Sequence, residues 1–118
     1  MKICLRSGVD LQTERLQGWL QYGKTYIVLS VEQYNSSEIG FRVASEDGGQ
    51  PVLFRAALFD LIDGSLPACW KVLAVRQNTV DLGPEVFGQA GFWEKCFDRD
   101  HIALGEYREA MEQVMADS

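Results

Sequence analysis

The sequence predicts a mainly β fold, a small antiparallel β-barrel of short strands followed by a C-terminal helical extension. Three observations carry this reading. Short apolar stretches recur at close spacing over residues 1–83, separated by turn-forming residues. After Gly83-Pro84 the apolar period lengthens from that of a strand to that of a helix. The chain is 118 residues with 47% hydrophobic and 11% aromatic side chains, enough for one domain with an ordinary core and no disulfide or metal. The predicted organisation is a single domain over 1–118, with the barrel in 1–83 and helices packed on it in 84–118.

The elements follow in order. Lys2 to Arg6 places Ile3 and Leu5 on one side of a short first strand. Residues 7–23, interrupted by Gly8, Gly18 and Gly23, form a long loop carrying Leu11, Leu16, Trp19, Leu20 and Tyr22. Thr25 to Val31 is β-branched and aromatic almost throughout, which marks a central strand covered on both faces. Asn35-Ser36-Ser37 is a turn, and Ile39, Phe41 and Val43 alternate along a half-buried strand. Asp47-Gly48-Gly49 reads as a hairpin turn because these residues accept positive φ. Val52 to Arg55 returns, Leu58 to Ile62 follows, Asp63-Gly64 turns, and Trp70 to Val75 is another strand. Gln77-Asn78 leads into a last short strand at Val80 and Leu82. A strand, a long loop and then a meander with tight turns is the layout of an SH3-like barrel; closure would remove exposed edges from strands this apolar. An open sheet with the helix across one face is the alternative.

In the extension, Phe92, Trp93, Cys96 and Phe97 form the apolar side of a short helix. Asp98 or Asp100 then caps a second helix, accepting from orphan amides at its positive dipole end. Leu104, Tyr107, Met111 and Val114, with Ala103, Ala110 and Met115 beside them, make a stripe at helical spacing that docks on the barrel. Glu106, Glu109 and Glu112 lie on the opposite face.

Charge narrows the function classes. The formal net charge is -6, and residues 1–59 balance six acids against six bases, so residues 60–118 carry all of it. Nucleic acid is disfavoured, because a phosphate-backbone binder needs a cationic face; a basic protein is the expected partner. No apolar run approaches the roughly 20 residues of a membrane span. Cys4, Cys69 and Cys96 are unpaired by number and spacing, which suits a reducing cytoplasm.

No residue set asks for catalysis, a metal or a cofactor. His101 is the sole histidine, set at a helix start with no nucleophile located beside it. Asp98-Arg99-Asp100 supplies too few oxygens at calcium-loop spacing. The glycines at 83, 88 and 91 match neither the dinucleotide nor the Walker pattern. The expected role is therefore binding without catalysis. Two surfaces are candidates: the acidic set Asp98, Asp100, Glu106, Glu109 and Glu112, and an aromatic groove beside Trp19 and Tyr22 in the long loop. The bland reading of those two aromatics is that they fold back as a satellite core beneath the loop.

The stretch Leu20 to Val31 with its Gly23-Lys24-Thr25-Tyr26 opening, together with Phe41-Arg42-Val43, Pro51-Val52-Leu53-Phe54, Phe59 and Leu66-Pro67 through Trp70, resembles small bacterial SH3-like proteins. The tail Gly91-Phe92-Trp93-Glu94 through Phe97-Asp98-Arg99-Asp100 is similar to that of immunity-type proteins from toxin–immunity pairs. The resemblance spans most of the chain from residue 20. It implies a non-catalytic protein that neutralises a toxin domain, and it carries no site residues with it, because the neutralising surface differs from pair to pair.

Overall fold

A computed structural model describes residues 1–44 and 50–117. It contains β1 (Lys2–Leu5), β2 (Thr25–Gln33), β3 (Ile39–Val43), β4 (Val52–Arg55), β5 (Phe59–Asp63), β6 (Trp70–Val75) and β7 (Val80–Pro84), then α1 (Phe92–Phe97) and α2 (His101–Ala116). Single 3-10 turns at Ala56–Leu58 and Glu85–Gly88 join β4 to β5 and β7 to α1. The expected hairpin turn Asp47-Gly48-Gly49 lies outside the described residues.

All strand pairs are antiparallel, in the order β4-β3-β2-β1-β5, with β7 added on β2 and β6 on β7. The sheet does not close into a barrel. The 3-10 turn after Arg55 sends β5 across to the far side of β1, so β4 and β5 share no ladder among the described residues and both remain edges. A register shift between Val28 and Ser30 bends the sheet where β2 passes from β1 to β3, and a second, between Val72 and Ala74, lies in the β6–β7 ladder.

Directly opposed residues in an antiparallel ladder point to one side. The row Val72–Leu82–Val31–Phe41–Phe54 therefore lies on the inner face, continuous with the core built from Ile3, Leu5, Val28 and Phe59. The outer face carries Ser30, Arg42 and Gly83 under the helices. Gly83 is required by close approach, since a Cβ there would stand 2.7 Å from Ser30 Cβ. Asp81, buried on β7, accepts from the Gln33 amide at 3.0 Å and from Arg76 Nε at 3.0 Å, tying the β6–β7 hairpin to the end of β2.

The extension docks through rings. Phe87, in the second 3-10 turn, lies with its centroid 4.8 Å from Trp93, 5.8 Å from Phe92 and 6.1 Å from Tyr107. The Arg42 guanidinium sits 4.1 Å from the Trp93 ring centroid, fixing α1 on the outer face of β3. The buried column of α2 is Ala103, Tyr107, Ala110 and Val114; Leu104 and Met111 are half-buried beside it, and Met115 faces solvent. Two expected core positions, Met115 and Phe97, are corrected. Phe97 is 67% exposed, because it closes the six-residue α1 and makes none of the ring contacts that hold Phe92 and Trp93.

Burial pushes the Tyr107 phenol up to about 12, with the nearby Arg42 charge opposing the rise and Cys96 adding to it. An unfolded tyrosine ionises near 10. The protonated ring therefore contributes its full stabilisation below pH 10, and the contribution is lost as pH rises from 10 to 12. We expect a loss of about 2–3 kcal/mol across that window. Urea melts at stepped pH will show it, and Tyr107→Phe should flatten the slope.

Candidate functional site

The acidic residues singled out in the sequence do not act as one patch. Asp100 is the N-cap of α2 and its carboxylate accepts from the Ala103 amide at 3.0 Å, so it supports the helix start. It also lines a small cleft of about 120 Å³ with Gln89, Lys95 and Glu106. Asp98 follows α1 as its C-cap and is exposed. His101, the first residue of α2, is exposed as well.

Glu106 departs from the expected solvated face. It is half-buried, because Ala103 and Ala110, one turn to either side, turn this part of α2 toward the sheet. Glu106 and Glu109 face a larger cleft of about 380 Å³ between α2 and the β6–β7 hairpin. Glu85, from the turn after β7, faces the same space, and Lys71 of β6 stands on its rim. Ala68, Pro84, Val86 and Ala110 supply apolar wall. Glu112 lines neither cleft and is exposed. The structure thus brings Glu106 and Glu109 together, adds Glu85, and leaves Asp98 and Glu112 apart. Glu85 was the residue missed. Its one signal is position, directly after the Gly83-Pro84 break that ends the β region.

Two of the thiols are held above the ordinary cysteine range. Burial pushes the Cys69 thiol up, and its hydrogen bond to Asp117 and that carboxylate's charge push it further. Burial likewise raises Cys96, with Asp100 and Glu106 adding to the effect. Cys4, Cys69 and Cys96 are all free. Among the described residues no group of three His, Cys, Asp or Glu side chains is placed to hold a metal ion.

In the long loop, Leu16 and Leu20 are the residues that turn inward, while Trp19 and Tyr22 are 55% and 56% exposed. The satellite-core reading of these two aromatics is therefore corrected. Local hydrogen bonding explains the split. The Leu16 amide donates to Leu11 O at 2.8 Å and the Leu20 amide to Leu16 O at 3.2 Å, a helical turn that puts Leu16 and Leu20 on one side. The Tyr22 hydroxyl donates to Val9 O and pins its ring across the loop surface. Arg55 braces the loop from the sheet, 3.4 Å from Glu14, and also stands 3.7 Å from Glu38 in the β2–β3 turn.

What the fold and its clefts define is a seven-stranded antiparallel β protein with a C-terminal helix, bearing an acidic cleft where that helix meets the last hairpin. No protein-family model, no curated protein and no solved structure matches the chain. Among the described residues no helix is long and apolar enough to cross a membrane.

Proposed function

We propose that this chain is a non-catalytic protein-binding protein that neutralises a basic partner, in the manner of an immunity protein facing a toxin domain. The order β4-β3-β2-β1-β5, with a long loop after β1 and a 3-10 turn before β5, supports reading the sheet as an SH3-like core extended by the β6–β7 hairpin. The observation that carries the function is the convergence of Glu85, Glu106 and Glu109 on one cleft with apolar walls. Such a cleft suits a lysine or arginine side chain: the aliphatic stem lies on Pro84, Val86 and Ala110, and the charged head meets the carboxylates. The charge excess of residues 60–118 would steer a cationic partner toward it. Three free thiols suit work in the cytoplasm.

The test uses the protein encoded by the adjacent gene as ligand. Changing Glu106, Glu109 and Glu112 together to lysine should slow association by about tenfold or more and flatten its salt dependence. Glu112→Lys alone should do far less, since Glu112 lines neither cleft. Equal rates and salt slopes for wild type and the triple variant would remove the acidic cleft as the binding surface.

The exposure of Trp19 and Tyr22 favours a second reading, a peptide- or ligand-binding module using an aromatic groove beside the long loop. Binding that survives the triple charge reversal and is lost in Trp19→Ala would select it.

A further inference from the structure

We infer that β5 and β6 together form a self-complementary edge through which two copies of this chain pair about a two-fold axis. The argument begins with register. β1 opposes β2 at Thr25 to Ile27 and β7 opposes it at Val31, whereas β3 occupies the other side of β2. β1 and β7 therefore lie end to end along one side of β2. β5 runs antiparallel to β1 and β6 antiparallel to β7, so both run parallel to β2, one after the other. Residues 64–69, with Pro67 buried among them, connect the two strands. Among the described residues no strand pairs with the far side of β5 or of β6.

An edge of this kind is open to another strand, and proteins usually blunt it. Here it keeps aliphatic side chains in the open. Leu61 and Ile62 on β5 are 60% and 56% exposed, Val72 and Val75 on β6 are 61% and 79%, and Leu66 between them is 54%. Val72 belongs to the inner-face row that is buried by the time it reaches Val31, so the core surface runs out to solvent at this edge.

Charge identifies the occupant. β5 carries Asp60 and Asp63 and no base; β6 and the residue after it carry Lys71 and Arg76 and no acid. Placing β6 against another β6 would set bases against bases. A two-fold axis near Leu66 instead sets β5 of each copy antiparallel to β6 of the other, so acid meets base and aliphatic meets aliphatic twice. Arg6 approaches Asp60 at 3.5 Å and Arg76 approaches Asp81 at 2.9 Å. Asp63, whose Oδ1 accepts from the Ser65 amide at 2.9 Å, and Lys71, on the rim of the acidic cleft, are the remaining opposite charges and are expected to set the register.

Sedimentation velocity and light scattering on the full chain test this directly. The expected result is a species of twice the chain mass that dissociates on dilution. Leu61→Lys and Val72→Lys should each raise the dissociation constant at least about tenfold, since each buries a charge in the pairing face. Far-UV circular dichroism should be unchanged, because both side chains are exposed. Asp63→Lys or Lys71→Glu alone should also weaken the dimer, and the two together should restore it. A monomer at all concentrations up to about 1 mM, the weak end of specific association, would overturn the inference. So would a dimer that none of these substitutions affects.

Discussion

Phe87→Ala is expected to destabilise the protein by about 3–5 kcal/mol, near the top of the range for large-to-small core changes. Phe87 is buried, and its ring lies within 6.1 Å of partners on both helices, namely Phe92, Trp93 and Tyr107. Its neighbours are held by other contacts, Trp93 by Arg42 and the α2 column by the sheet, so they are poorly placed to collapse into the gap. With typical folding free energies of about 5–15 kcal/mol, such a loss removes much of the total. Urea unfolding followed by tryptophan fluorescence and by circular dichroism is the measurement. Phe97→Ala at the end of α1 should shift stability by no more than about 0.5 kcal/mol, because that ring is in solvent. A loss below about 1 kcal/mol for Phe87→Ala would mean that the ring cluster does not couple the helices to the sheet.

That contrast between Phe87 and Phe97 also measures how far the sequence was legible. Residues 92–97 showed an apolar side by spacing alone, and spacing assigned Phe97 to it. Which end of a six-residue helix meets the core depends on where the chain arrives and leaves, and neither is encoded locally. Phe87 lay just past the Gly83-Pro84 break in a segment without period, so nothing marked it as core. The strands were far more legible. Thr25 to Val31 is β-branched and aromatic almost throughout, and β2 runs in the middle of the sheet between β3 on one side and β1 and β7 on the other, buried from Val28 to Val31. Closure was not legible, since it depends on whether β4 and β5 meet, a contact between sequence-adjacent strands that the 3-10 turn prevents. For the candidate site, the acids of α2 could be found by charge. Their division between two clefts could not, because Glu85 reaches the larger cleft from a separate element.

Arg42→Ala should be comparably costly, about 3–5 kcal/mol, by a different mechanism. The Arg42 side chain is 12% accessible and that of Glu32 is 16%. The guanidinium grips Glu32 in a fork, Nε to Oε2 at 2.6 Å and one terminal nitrogen to Oε1 at 3.0 Å, while its face lies on Trp93. Ser30 Oγ donates to the same Oε2 at 2.6 Å. Removing the arginine strands a nearly buried carboxylate with one hydroxyl donor and strips the cation from the Trp93 ring. The cost therefore comes from the charge left behind more than from the pair lost. Two comparisons separate these terms. The double variant Glu32→Gln with Arg42→Met leaves no charge, so it should be much less destabilised than Arg42→Ala. Arg42→Lys keeps the charge without the fork, so it should fall between wild type and Arg42→Ala. The Arg42 charge also holds the Tyr107 phenol down, so its loss should move the alkaline transition of that ring upward. A deficit in Arg42→Ala equal to that of the double variant would show that Arg42 acts only through packing.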